Sequence, residues 1–159
     1  MTSSTKSIEA AAGDAQVLAE RIARWMLSRG LAAHLNMTLL RVSPGAVTLG
    51  MSVGATTLNM VGVAHGGASF ALADTAFGIA SNSRGQTAVS LSATMAYPAA
   101  ASQGDTLEAE AVEEALSRRT GNYRVTVRRC SDGRVVGLFH GVVFRRDDSV
   151  EEWLVRDGY

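Results

Sequence analysis

The residues best suited to chemistry lie at the start and in the middle of one apolar segment. His65-Gly66-Gly67 is followed by an almost wholly apolar run from Ala68 to Ala80, with a single carboxylate, Asp74, in its middle. A carboxylate without a partner is costly to bury, so one retained at such a position is a candidate for function. The segment therefore predicts a helix that carries candidate functional groups at its start and in its middle.

The start of this helix offers hydrogen-bond donors. The first N–H groups of a helix have no acceptor inside it and lie at the positive end of its dipole, so the amides of Gly66 and Gly67 can stabilise a developing oxyanion. Two turns later, Asp74 can act as a general base or as a nucleophile, and the sequence leaves both roles open. Donors and a base are what acyl-group hydrolysis requires.

The neighbours of Asp74 on the helical surface indicate what it faces. The residues three and four positions away include two aromatic rings, Phe70 and Phe77. This face is expected to accept an apolar group of a ligand. Ser69 and Thr75 are polar neighbours that can orient water, although hydroxyls in helices more often bond a carbonyl one turn back.

The composition limits the class of protein. The chain has 159 residues, of which 47% are hydrophobic, enough for one domain with a substantial core. Fifteen basic residues balance fifteen acidic ones, so bulk charge gives no reason to expect a nucleic-acid or membrane partner. Cys130 is the single cysteine, which excludes an internal disulfide and a cysteine zinc cluster. A reducing compartment, the cytoplasm, is the expected location.

Hydrophobic periodicity predicts the elements that position these residues. Residues 1–13 are expected to form a mobile tail, and Asp14 is expected to cap a first helix that Gly30 stops. A hairpin follows over 37–53, and the central helix covers 66–82.

The remainder alternates between apolar and polar residues, as strands do. A central helix that is apolar nearly all round must be covered on most sides, and one antiparallel sheet curled around it achieves this. The predicted fold is α+β, with a single domain over 14–146 and a C-terminal tail over 147–159. In that tail Trp153 and Leu154 either fold back as a short helix or meet a neighbouring subunit. The predicted strands cover 87–97, 106–116, 123–130 and 134–144.

Four motifs, within a region from roughly residue 15 to residue 146, resemble those of a known family. They are His65-Gly66-Gly67, Leu72-Ala73-Asp74-Thr75-Ala76-Phe77, Asn82-Ser83 and Thr120-Gly121-Asn122-Tyr123. Together they look like the PaaI group of acyl-CoA thioesterases, named for phenylacetate degradation. The resemblance implies a hotdog fold, a long central helix wrapped by a curved antiparallel sheet. It also implies hydrolysis of an aryl or medium-chain acyl-CoA, such as (hydroxy)phenylacetyl-CoA, to the free acid and coenzyme A.

The resemblance also implies roles for individual residues. Asp74 matches the family's helix aspartate, Gly66 its polarising amide, and His65 the histidine before that glycine. A family asparagine near the end of the first helix corresponds to Ser28, whose hydroxyl donates only one hydrogen. Asn59 is a further expected substrate-binding residue, together with Gly67, Phe70, Thr75 and Phe77.

The phosphates of coenzyme A require positive charge. Arg84, Arg118 and Arg119 are candidates to bind them, with ordinary solvated charge as the alternative for each. The resemblance further implies a homodimer, paired again into a tetramer, with active sites at the subunit interface. Neither a metal nor an organic cofactor is expected.

Two other functions stay open from the sequence. A non-catalytic acyl-CoA-binding protein would share the binding site but would lack a base, whereas Asp74 is present. A hotdog hydratase or dehydratase would use a catalytic histidine with a carboxylate, commonly in Asp-x-Asn-x-x-His or His-Phe-x-Gly contexts. Neither string occurs in this sequence.

Overall fold

One antiparallel sheet packs against a long central helix. The computed structural model describes residues 2–159, with side chains described from residue 11 onward. The six strands are hydrogen-bonded in the order β1-β2-β4-β5-β6-β3. This confirms the predicted hotdog fold. The elements in chain order are α1 (Thr2–Leu27), α2 (Gly30–His34), β1 (Thr38–Ser43), β2 (Ala46–Ser52), a short 3₁₀ helix (Ala55–Thr57), α3 (Gly66–Asn82), β3 (Gln86–Ala96), β4 (Thr106–Leu116), β5 (Thr120–Arg129), β6 (Val135–Ser149) and α4 (Val150–Arg156).

The core lies between α3 and one face of the sheet. Four neighbouring strands contribute buried side chains to it, namely Leu49, Leu107, Val125 and Phe139. Successive strand residues point to opposite faces, so the residues between them, such as His140, face outward. Small residues on α3, such as Ala73, Ala76 and Ala80, are fully buried and allow close packing of the helix on the strands. The central helix has the bounds that the sequence predicts.

The N-terminal helix is longer than the sequence predicts. It begins at Thr2, so Asp14 lies inside α1 and the prediction that Asp14 caps it is wrong. The physical reason is the alanine-rich stretch at 10–12, because alanine is the best helix former and the helix extends through Gly13. The side chains of residues 1–10 lie outside the described ones, and the mobility of the tail over 1–13 stays a prediction.

The C-terminal segment folds back onto the domain. Strand β6 continues to Ser149, past the predicted end of the domain at residue 146. The Ser149 hydroxyl caps α4, because it accepts a hydrogen bond from the Glu151 N–H at 3.1 Å. Val150 and Leu154 are buried against Ile22 of α1 in a second apolar cluster. Of the two possibilities for the segment, the short helix is the one that forms.

Two strands lie at the edges of the sheet. They are β1 and β3, and β3 pairs only with β6. No residue of β3 is charged, although charged side chains commonly protect an exposed edge. Val89 and Leu91 are 44% and 60% exposed there. Within residues 2–159, no helix is both long enough and apolar enough to cross a membrane.

The packing of α4 on α1 predicts a stability effect at Leu154. Its side chain is fully buried, and truncation of a buried leucine to alanine costs about 2–5 kcal/mol of unfolding free energy. Denaturant unfolding of Leu154→Ala measures this loss. The adjacent Val155 is 73% exposed, so Val155→Ala is the matched control and is expected to stay within about 0.5 kcal/mol of the parent. Equal unfolding free energies for the two variants would contradict the packing of α4.

Candidate active site

The start of α3 is fixed by the side chain that precedes it. His65 is the N-cap residue, and its Nδ1 accepts a hydrogen bond from the Gly67 N–H at 2.9 Å. A Cβ on Gly67 would lie 2.9 Å from the same Nδ1, so glycine gives the ring room to approach. The His65 N–H donates to the Thr57 carbonyl at 2.7 Å. His65 therefore orients the helix start.

This cap corrects the predicted pair of oxyanion donors. The Gly67 amide is already bonded to His65, so its prediction as a second free donor is wrong. The Gly66 N–H has no acceptor among residues 2–159, and it is the donor available at the helix start. Its own carbonyl accepts from the Tyr97 hydroxyl at 3.1 Å.

A cavity of about 270 Å³ opens beside Gly66. Its polar side chains are Asn59, Ser69 and Tyr97, and small apolar residues form most of the remainder. The Asn59 Oδ1 accepts from the N–H groups of Val61 and Val63 at 3.0 and 3.2 Å, which holds the loop before α3. The Asn59 NH₂ group has no acceptor in the described part of the chain. It is therefore available as a donor.

The sequence did not single out Tyr97. This residue comes directly after β3 and directly before Pro98, so it ends a strand. An aromatic residue at a strand end is common, and only the fold shows that this one reaches α3. Its ring lies 3.4 Å from where a Gly66 Cβ would stand. Tyr97 thus covers the first residue of the helix from the side of the cavity.

Asp74 lies on the part of α3 that the sheet leaves uncovered. Its side chain is exposed in the single chain, whereas the preceding Leu72 and Ala73 are fully buried. The apolar surroundings nevertheless desolvate the carboxylate in part and raise its pKa above the ordinary value of 3.8. No ion pair or hydrogen bond within residues 11–159 neutralises it. The neighbouring Thr75 hydroxyl likewise makes no hydrogen bond there, so it is not engaged by a carbonyl one turn back.

The two phenylalanines do not form a ligand face with Asp74, and for Phe77 the prediction is wrong. Phe77 is 1% exposed, and its ring centroid lies 5.4 Å from that of Phe139 in the core. Phe70 is half-buried and meets the same Phe139 ring edge-on at 5.4 Å. Residues three and four apart on a helix differ by about 40–60° in direction, which is enough to place both rings against the sheet and Asp74 just beyond the covered part of the helix.

The three predicted phosphate ligands have different surroundings. Arg84 donates two hydrogen bonds to Glu113, at 2.9 and 3.1 Å. Burial favours a higher pKa for Glu113, but hydrogen bonds from Arg84 and from the Tyr123 hydroxyl outweigh it and lower the pKa. Arg119 pairs with Asp147 at 3.0 Å. Arg84 and Arg119 are therefore engaged within the chain. These ion pairs argue against phosphate binding at both positions and were not among the expectations from the sequence.

Two further predicted residues are Arg118, a candidate phosphate ligand, and Ser28, the counterpart of the family asparagine. Arg118 is exposed and has no ion-pair partner within residues 11–159, so its charge is available to a ligand. Ser28 is exposed at the end of α1, and its hydroxyl donates to the Trp25 carbonyl at 2.8 Å. It does not line the cavity beside Gly66. Ser28 therefore lies outside the cavity that Gly66 and Asn59 share.

Comparison with known proteins identifies thioesterases as relatives of this chain. Residues 61–136 match the model of the thioesterase superfamily. The acyl-coenzyme A thioesterase PaaI of Escherichia coli is 34% identical over 110 residues, which cover 69% of this chain and 78% of that protein. The solved structure of the E. coli PaaI protein from the phenylacetic acid degradation operon has a TM-score of 0.80 and 31% identity, covering 84% of this chain and 97% of that one. A Streptococcus mutans protein solved bound to acetyl-CoA has a TM-score of 0.67 and 30% identity, covering 70% and 89%.

The cap at His65 predicts a stability effect that depends on the replacement. His65→Ala removes the acceptor for the Gly67 N–H and is expected to cost about 1 kcal/mol of unfolding free energy. His65→Asn keeps an acceptor at a position where asparagine is favoured, so it is expected to retain most of the stability. Denaturant unfolding separates the two. If both variants lost stability equally, the role of His65 as a cap would be wrong.

Proposed function

The chain belongs to the thioesterase superfamily, and on that premise we propose that it hydrolyses an acyl-CoA thioester to a free acid and coenzyme A. The main support is that α3 carries two unsatisfied groups: the Gly66 N–H beside a cavity, and the exposed Asp74 with its raised pKa. The first suits a developing oxyanion and the second suits a base or nucleophile. That a similar S. mutans protein was solved with acetyl-CoA favours a CoA ester as the ligand.

The two groups are too far apart on one helix to act in one site. Asp74 lies eight positions after Gly66, about 12 Å along the axis at about 1.5 Å per residue. A donor lies about 3 Å from the oxyanion, and an attacking group lies about 3.5 Å from the carbonyl carbon. Donor and nucleophile can therefore be at most about 8 Å apart. A bridging water extends this to about 11 Å only if all atoms lie on one line, whereas attack on a carbonyl comes at a steep angle.

The direction of the donor points to the same conclusion. Helical N–H groups point toward the N-terminus, so the Gly66 amide is directed away from Asp74. We therefore propose that each active site combines the Gly66 amide of one protomer with Asp74 of a second copy. A twofold-symmetric dimer then contains two such sites.

The surface supports an assembly of this kind. The uncharged edge strand β3 exposes Val89 and Leu91, and Tyr97, at 49% exposure, follows the strand. The loop before α3 adds Met60 and Val61, at 100% and 73% exposure. These residues extend from the sheet edge to the helix start that holds Gly66. Edge-to-edge pairing of two sheets would cover them. We further propose that two such dimers pair to form a tetramer.

The proposed reaction uses protein groups and water. In the general-base form, Asp74 accepts a proton from a water molecule whose oxygen attacks the thioester carbon. The Gly66 N–H donates to the resulting oxyanion, and collapse of the intermediate breaks the carbon–sulfur bond. The departing thiolate recovers the proton from Asp74. In the nucleophilic form, the carboxylate itself attacks the thioester carbon, the carbon–sulfur bond breaks and coenzyme A leaves as the thiolate. Water then hydrolyses the mixed anhydride, which releases the acid, regenerates Asp74 and supplies the proton that the thiolate takes up.

The proposed substrate class rests on a relative, and the proposed location rests on the single cysteine. Because the E. coli structure comes from a phenylacetic acid degradation operon, we propose aryl or medium-chain acyl-CoAs, with (hydroxy)phenylacetyl-CoA among them, as substrates. The exposed free thiol of Cys130 fits a reducing compartment, so the cytoplasm is the proposed location. No metal or organic cofactor is needed by the proposed steps.

The proposal predicts the behaviour of Asp74→Asn. Release of free thiol from a panel of acyl-CoAs is expected to fall about 10²–10⁴-fold, because the amide cannot accept the proton. Stability should not fall, since burial disfavours the ionised carboxylate in the folded chain above its raised pKa. Asp14→Asn, which changes an exposed aspartate of α1, is the matched control and should retain parental turnover.

The pH dependence follows from the same carboxylate. Because the base must be ionised, kcat/KM of the parent is expected to fall as the pH decreases through the pKa of Asp74, which lies above 3.8. The residual activity of Asp74→Asn should lack that decrease. Parental turnover in Asp74→Asn, or an unchanged acidic limb in its pH profile, would refute the role of Asp74.

A further inference from the structure

A second cavity lies on the other side of the start of α3. Its volume is about 250 Å³, and both His65 and Gly67 contribute to its wall. With 3.6 residues per turn, Gly66 and Ser69 share one side of the helix, whereas the residues that line this cavity lie on the opposite side. The Gly66 amide thus stands between two cavities. The apolar lining of the second consists of Leu31, Leu35, Leu58, Ala68 and Ala71.

In a bound acyl-CoA, the acyl group and the pantetheine arm of coenzyme A leave the thioester carbonyl carbon in different directions. The pantetheine arm carries amide groups that need hydrogen-bonding partners when they leave water. The first cavity provides such partners in Asn59, Ser69 and Tyr97. The second offers mainly aliphatic surface, which stabilises an apolar group. From this difference we infer that the cavity between α2 and α3 binds the acyl group, an inference that rests on the proposed function.

Two polar groups of the second cavity are already engaged within the chain, whereas the Thr56 hydroxyl and the His65 Nε2 have no partner among residues 11–159. The Nδ1 of His65 accepts from the Gly67 N–H, and the Thr57 hydroxyl donates to the Gly54 carbonyl at 2.9 Å. The lining contains no lysine, arginine, aspartate or glutamate. A charged acyl group would lose its hydration there without meeting an acidic or basic side chain of opposite charge. The acyl group is therefore an uncharged aliphatic chain or aromatic ring.

Helix α2 is the part of the wall that determines acyl preference. Ala32 is 6% exposed and anchors the helix to the core, while the adjacent Leu31 is 57% exposed. Leu31 lines the cavity, so an acyl chain bound there would cover it. Each additional methylene buried against this surface raises kcat/KM by about fourfold until the cavity is full. The length of the preferred acyl chain then depends on the room between Leu31 and Ala68.

Three variants test this assignment with acetyl-, hexanoyl- and phenylacetyl-CoA. Ala68→Leu fills the cavity and is expected to lower the ratio of hexanoyl to acetyl kcat/KM by about tenfold or more. Leu31→Ala removes an exposed part of the wall without threatening the fold, and should lower the same ratio severalfold. Ala99→Leu, the matched control, makes the same change in the first cavity. It should alter KM for all three substrates by a similar factor and leave the ratio unchanged.

The outcomes separate the two proposals. If the parent releases no thiol from any acyl-CoA, the proposed function fails and this inference fails with it. If the parent is active but neither Ala68→Leu nor Leu31→Ala changes the ratio, the acyl group binds elsewhere and only this inference is overturned. A change of ratio in Ala99→Leu alone would reverse the assignment of the two arms. Should Ala68→Leu fail to fold by circular dichroism, Leu31→Ala decides.

Discussion

The direction and position of one backbone N–H group constrain the rest of the site. The start of α3 is fixed by the His65 cap, and this leaves the Gly66 amide as the free donor among the described residues there. A helical N–H points away from the residues that follow it, so no side chain two turns later in the same helix can face the same reacting atom. In the proposed reaction the carboxylate of Asp74 therefore acts with the Gly66 amide of a second copy, which would make catalysis a property of the assembly. The exposed, uncharged edge at β3 suits the formation of such an assembly.

The chemistry of the helix start explains why two glycines follow the histidine. Gly67 allows the imidazole ring to approach its amide, whereas a Cβ there would meet Nδ1 at 2.9 Å. Gly66 has a different reason, because Tyr97 lies against it and donates to its carbonyl. A Cβ on Gly66 would be in ordinary contact with that ring at 3.4 Å, but a larger side chain would displace it. One glycine serves the cap and the other keeps the approach to the free amide open.

Local patterns predicted the elements better than they predicted the contacts. The apolar run after His65-Gly66-Gly67 predicted α3, and the alternation of apolar and polar residues predicted the strands, because both patterns depend on residues near in sequence. The roles of Phe77 and Arg84 depend on groups far away in the chain, whereas that of Gly67 depends on the orientation of the His65 side chain two residues before it. A helical wheel cannot show that Phe77 meets the Phe139 ring, and spacing cannot show that Glu113 engages Arg84. Tyr97 was missed for the same reason, since its contact with Gly66 joins residues 31 positions apart.

The claim that one site needs two chains has a direct test. Asp74→Asn and Gly66→Val chains are each purified, shown to fold, and then mixed in equal amounts under conditions that dissociate and reassemble the protein. After reassembly, half of the dimers are expected to contain one chain of each variant. In each of these dimers, one of the two sites has both the native Gly66 and the native Asp74. The mixture should therefore recover about one quarter of the parental turnover. If both groups served a site within one chain, no chain in the mixture would be intact. Thiol release no greater than the mean of the two separate variants would then contradict the account.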